Sequence, residues 1–122
     1  MRSVIIASIL FIILLTSTLI NSFFITSASD ELILTARSVP EISSDSCLNK
    51  INNLKTQWNK FKKAALFTVS YSELSKISCL IEELYVHFYD NNEILFDYCL
   101  RVILSCLEEI SRFERLSLDA IF

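Results

Sequence analysis

The chain has 122 residues and not one of them is glycine. Glycine is the default residue for left-handed turns and for close approach of backbone to a ligand. Its absence argues against a phosphate-cradling loop, a nucleophile elbow or a type I′ hairpin, and so against many enzyme classes. Proline occurs once, as Pro40, and histidine once, as His87. One histidine cannot build an HExxH zinc motif. The four cysteines contain no C-x-x-C pair, so a structural zinc site is not expected either. Charge is also missing from one long stretch, since no charged residue lies between Arg2 and Asp30.

That uncharged stretch is the most informative segment. It includes the run Val4-Ile5-Ile6-Ala7-Ser8-Ile9-Leu10-Phe11-Ile12-Ile13-Leu14-Leu15 and continues to Phe23-Phe24-Ile25. A helix needs about 20 mostly apolar residues to cross the hydrocarbon core of a bilayer. Residues 4–25 meet that length and are expected to contact lipid. The h-region of a cleaved signal is shorter, so length favours a retained anchor, although Thr26-Ser27-Ala28-Ser29 offers small residues where a signal would be cut. Arg2 precedes the span and Asp30 and Glu31 follow it. The positive-inside rule then sets a single-pass protein in the cell membrane, with its N-terminus cytoplasmic and its C-terminal domain outside.

The domain division expected is an N-terminal transmembrane anchor over residues 1–28, a juxtamembrane linker over 29–43 and an extracytoplasmic helical domain over 44–122. Without Arg2 the chain carries 10 Lys+Arg against 14 Asp+Glu, a net charge of −4. Mild acidity argues against a nucleic-acid partner, which calls for a basic footprint.

After the span the periodicity is helical. Glu31 to Arg37 can extend the first helix outward until Pro40 interrupts it. Ser43-Ser44-Asp45-Ser46 supplies N-cap residues. Cys47, Ile51, Leu54, Trp58, Phe61 and Ala65 then recur at 3–4 spacing, which predicts an amphipathic helix over 44–66. Ser70 and Glu73 have capping-box spacing and open a helix to about Tyr89, with Leu74, Ile77, Leu80, Ile81, Leu84, Tyr85 and Phe88 apolar. Asp90-Asn91-Asn92 breaks it, and Asn91 or Asn92 caps a last helix from Glu93 to at least Phe113. This last helix is apolar around much of its circumference, as befits the centre of a bundle. Asp97 and Arg101, four apart, interrupt it and can pair, and the uncharged Val102–Leu107 is too short for a second span. Leu116, Leu118, Ile121 and Phe122 form an apolar tail expected to fold back onto the bundle. A strand at Phe67-Thr68-Val69 would have no partner. The fold class expected is all-α: an N-terminal transmembrane helix followed by a small antiparallel three-helix bundle.

Cys47, Cys79, Cys99 and Cys106 have two readings. Outside the cytoplasm an even number of cysteines invites disulfides. Cys99 and Cys106, seven apart on one helix, are separated by about 10 Å along its axis and do not bridge each other. The turn at Asp90–Asn92 brings either of them within reach of Cys79. The other reading is four buried thiols packed as small hydrophobes. His87 follows Glu83 by four residues, a spacing that fits a surface pair. Glu108-Glu109 reads as a solvated face. Trp58, Phe61, Phe88 and Phe96, with Tyr85 and Phe113, read as aromatic core rather than a ligand groove. Lys55, Lys60, Lys62 and Lys63 form a solvated basic face, with anionic lipid or wall polymer as the sharper alternative.

The whole layout resembles a family of small single-span bacterial membrane proteins from clostridia and related spore-formers, classed as a domain of unknown function (four-three-six-three in the usual numbering). The resemblance rests on the N-terminal span, Trp58-Asn59-Lys60-Phe61, the passage from Ala65-Leu66-Phe67 into Ser72-Glu73-Leu74, and the ending Glu114-Arg115-Leu116-Ser117-Leu118-Asp119-Ala120-Ile121-Phe122. Family members often carry a histidine before the acidic start of the following helix. Here Val69-Ser70-Tyr71 stands there, so no role for that histidine transfers. The resemblance implies a bacterial membrane-anchored protein and supplies no activity. It also implies an anaerobic host, which favours free thiols.

The function expected is that of a non-enzymatic accessory or interaction protein, docking on a membrane-protein partner or another copy of itself. Such a protein should expose an apolar patch on its bundle. The alternative is an envelope ligand-binding or sensing module with a cavity between helices, its polar groups drawn from Tyr85, Tyr98 or His87. An enzyme would need Glu83, His87 and a third titratable group to converge. No catalytic, cofactor-binding or metal-ligating residue is assigned, and no cofactor is expected.

Overall fold

Thirty-six residues without glycine or proline form one unbroken helix, α1 (Arg2–Arg37), about 54 Å long at 1.5 Å per residue. It is followed by α2 (Cys47–Ala65), α3 (Tyr71–Tyr89) and α4 (Glu93–Ile121). The computed structural model describes residues 1–66 and 69–121, and all of their side chains except those of residues 22, 117, 118, 120 and 121. Among the described residues there is no strand. Phe67 and Thr68 of the strand considered above lie outside them, and Val69 is a buried loop residue. Of the apolar tail, Leu116 is exposed on α4 rather than folded back. The side chains of Leu118 and Ile121 and the whole of Phe122 lie outside the described residues.

The four helices pack together: α1 against α2 and α4, and α3 against α2 and α4. This corrects the expected linker over 29–43. Residues 29–37 belong to α1, and Ile25, Ser29, Leu32, Ile33 and Ala36 are buried in the bundle. The reason is periodicity. Ile25, Ser29, Leu32 and Ala36 fall at 4, 3, 4 spacing, so the helix that leaves the apolar run already carries a core face. The bundle therefore has four helices instead of three on a stalk. The turn that follows is also tied down, with Val39 and Ile42 buried and the Cys47 thiol donating to the Pro40 carbonyl at 3.6 Å.

The other elements form for local reasons legible in the chain. In α2 the buried residues are Cys47, Ile51, Leu54, Trp58, Phe61 and Ala65, the predicted face. Ser46 stands at its N-cap without a side-chain cap bond; its hydroxyl instead meets that of Ser44 at 3.1 Å. In α3 the Ser70 hydroxyl accepts from the Glu73 N–H at 3.4 Å, the N-cap half of the predicted box. Asn92 caps α4 by accepting the Leu95 N–H at 3.1 Å.

Between α3 and α4 the chain closes a Schellman turn. The Asn92 N–H donates to the His87 carbonyl at 3.0 Å and the Asn91 N–H to the Phe88 carbonyl at 3.1 Å. Asn91 has φ 56°. Asparagine is the usual substitute where glycine would take the left-handed position.

Cross-helix bonds fix the register. Asn52, Lys55 and Trp58 of α2 meet Tyr85, Glu82 and Ser78 of α3. Thr35 of α1 donates to Gln57 of α2 at 2.7 Å. Asp30 of α1 meets Ser111 and Arg115 of α4, and Arg37 meets Glu108. The core is one continuous cluster running from Ile25 through Trp58 and Phe96 to Ile110.

Candidate functional site

The residues singled out from the sequence do not converge on one centre. Cys47 and Cys99 are buried, Cys106 is half-buried and Cys79 is exposed, all as free thiols. The buried-thiol reading therefore fits Cys47 and Cys99 and is corrected for Cys79. Cys79 lies between Ile77 and Ile81, two residues from each, and so falls on the outer face of α3. The Cys99 thiol donates to the Leu80 carbonyl at 3.1 Å. Burial pushes the Cys99 thiol up to about 11, with Glu83 adding to the shift. Burial also raises Cys47 and Cys106. Such thiols are poor nucleophiles because the thiolate is disfavoured.

The titratable groups are equally dispersed. Among the described residues Glu83 and His87 make no ion pair, and neither do Asp97 and Arg101; the ion pairs present are Arg37–Glu108, Lys55–Glu82 and Arg115–Asp30. Glu108 is thus engaged by α1 rather than merely solvated. Tyr85 donates its hydroxyl to Asn52 at 2.5 Å and lies under the Lys55 ammonium, 5.3 Å from the ring centroid. Tyr98 projects into solvent. No group of three metal-ligating side chains occurs among the described residues. Of the basic face, Lys55 is committed to Glu82 and Tyr85, and the neighbouring Glu82 carboxylate raises its pKa.

The aromatic core holds for Trp58, Phe61 and Phe96, which are buried, with Trp58 and Phe61 rings 5.5 Å apart. Phe88 is half-buried against the core. Phe113 departs from the expectation and is 66% exposed. On α4 the buried stripe is Phe96, Cys99, Ile103, Leu107, Ile110, Ser111 and Glu114. Phe113 and Leu116 lie on its flank. Because this helix is apolar on several sides, spacing alone did not choose the stripe.

Three features remain as candidate surfaces. The first is α1 itself: its apolar residues from Val4 to Leu15, then Ile20, Phe23 and Phe24, are exposed, and this is the one helix among the described residues long and apolar enough to cross a membrane. The second is the α3–α4 turn, where Val86, Tyr89, Ile94 and Tyr98 are exposed beside the acidic Asp90, Glu93 and Asp97. The third is an open groove of about 560 Å³ between the start of α3 and the end of α4. Val69, Ile77 and Ile110 line its floor, Phe113 and Leu116 one wall, and Lys76 and Arg112 bring charge to it.

At the foot of the bundle sits a polar clamp that sequence reasoning missed. Asp30, the first charge after the apolar run, accepts from the Ser111 hydroxyl at 2.9 Å and pairs with Arg115 at 2.5 Å. Ser111, Asp30 and Arg115 are 81 and 85 positions apart in the pairs they make, and no local pattern links residues so distant.

No family model, no curated protein and no solved structure matches the chain.

Proposed function

We propose that this is a single-pass membrane protein whose helical bundle is held on the extracytoplasmic side and docks, without catalysis of its own, on a membrane-protein partner. The observation that carries the reading is helix α1. Its first part is mostly apolar and exposed, and one face of its second part is core of the bundle, without a break between them. Exposing so much apolar surface to water is costly, at about 25 cal/mol per Å², and a bilayer removes that cost. In this reading the bundle is antiparallel, a sense supported by the pairs Asp30–Arg115 with Arg37–Glu108, and Asn52–Tyr85 with Trp58–Ser78. The resemblance to the single-span bacterial family implies the same architecture.

The docking surface of this reading is the α3–α4 turn, the end of the bundle away from the span. Exposed Val86, Tyr89, Ile94 and Tyr98 beside Asp90, Glu93 and Asp97 suit a partner with an apolar contact ringed by basic residues. A second reading, a ligand-binding module, is favoured by the groove between α3 and α4.

Exposed Cys79 makes the topology testable. A membrane-impermeant maleimide should label it in intact cells, and intact mass should find the full chain in the membrane fraction. Labelling only after lysis would reverse the orientation. A shortened soluble chain would remove the anchor and with it the main support for docking at a membrane.

A further inference from the structure

The bundle begins on α1 with no spacer after the apolar run. A hydrocarbon core about 30 Å thick takes about 20 residues of helix. Counted from Val4, that length ends at Phe23 and Phe24, the last residues of the run that are exposed. The next residue, Ile25, is fully buried in the bundle, and so is Ser29 one turn later. The headgroup layer adds roughly 5–8 Å on each side of the hydrocarbon, or about four to five residues of helix. Residues 25–29 therefore fall within that layer, and so does whatever packs beside them.

What packs there is the end of α4. Arg115 and Ser111 hold Asp30, and Glu108 holds Arg37, so α4 descends toward the apolar run as α1 ascends from it. Beyond Arg115 the helix continues to Ile121, six residues more, or about 9 Å. That carries its last turns down to the level of the hydrocarbon boundary. Just above that boundary, level with Asp30 and the turn before it, Phe113 and Leu116, three apart on one face, are 66% and 61% exposed. Arg112 stands beside them, and a long basic side chain at this depth reaches outward to the headgroups. Apolar anchors interleaved with arginine are the composition of a membrane interface.

We propose that the bundle rests on the bilayer, with the last turns of α4 in the lipid headgroup layer and Phe113 and Leu116 at its outer edge as a second lipid contact besides α1. The inference rests on the reading of α1 as a span.

The test uses the full chain in vesicles of phosphatidylcholine and phosphatidylglycerol. Single tryptophans are introduced as Leu14→Trp in the span, Phe113→Trp and Leu116→Trp at the foot, and Ile94→Trp at the far turn. All four sites are exposed, so the changes leave the core intact, and buried Trp58 supplies a constant background. Nitroxide-labelled phospholipid should quench the probes at 14, 113 and 116, the first by acyl-chain labels and the others by headgroup-level labels. The probe at 94 should respond only to aqueous acrylamide. If 113 and 116 behave like 94 while 14 is quenched by lipid, α1 spans and the bundle stands clear, which overturns the inference alone. If 14 is not quenched by lipid, the span reading fails and the inference falls with it.

Discussion

Asn91 carries the one positive φ among the described non-glycine residues, and it does so at the turn that sets α3 beside α4. An L-residue in this region costs about 1–2 kcal/mol, least for asparagine and nothing for glycine. Asn91→Gly should leave stability equal or slightly higher, and Asn91→Val should lower it by about 1–2 kcal/mol, measured by urea unfolding of the chain in detergent. The thiols give a second prediction. Cys99 is neutral in the fold up to about pH 11, above its ordinary value of 9.0. The folded state therefore holds a proton that the unfolded state releases first. The stabilisation is complete below pH 9 and is lost as pH rises toward 11. Unfolding midpoints should fall over that window, and Cys99→Ala should flatten part of the fall, the raised Cys47 and Cys106 accounting for more of it. Alkylation below pH 9 should modify exposed Cys79 first and buried Cys47 and Cys99 last.

At the scale of elements, α2 and α4 respond differently to the loss of an aromatic. Trp58 is 1% exposed and its indole N–H donates to the Ser78 hydroxyl at 2.9 Å. Trp58→Ala should cost about 3–5 kcal/mol, since a cavity and an orphaned hydroxyl are left behind. Phe113→Ala removes a ring that touches little of the core and should cost no more than about 0.5 kcal/mol in detergent. The pair of denaturation curves separates core from surface on these two helices. The buried faces of α2 and α3 were legible because Ile51-Leu54-Trp58 and Leu74-Ile77-Ile81 each have a single apolar stripe, although α2 starts at Cys47 rather than at 44. The face of α4 was not, because Leu95, Tyr98, Val102, Phe113 and Leu116 compete with Phe96, Cys99, Ile103, Leu107 and Ile110. Packing against α1 on one side and α3 on the other selects between them.

Across the whole molecule, the clamp on Asp30 joins the segment next to the apolar run to the last turns of α4. It is half-exposed, so Asp30→Asn should cost only about 1 kcal/mol of stability. Its larger effect, under the membrane reading, is on how α4 is held at the bilayer. For the proposed docking at the other end, Ile94→Ser with Tyr98→Ser should abolish photo-crosslinking to the partner. Helicity and unfolding midpoint should stay within about 0.5 kcal/mol of the parent, because both residues are exposed. Crosslinks that persist in the double variant would move the docking surface elsewhere.

The sequence by itself determined the apolar run, the two turns at Ser70 and Asn92, and the helical class, because each is set by neighbours within a few residues: uninterrupted hydropathy, a cap, a 3–4 repeat. Tertiary structure alone decided that the apolar face of residues 25–36 is covered by α2 and α4, that Phe113 is surface rather than core, and that Asp30 grips Ser111 and Arg115. Those outcomes depend on which faces of α1 and α4 meet. A helix with apolar residues on more than one side does not encode that choice in its spacing; the neighbours that cover it do.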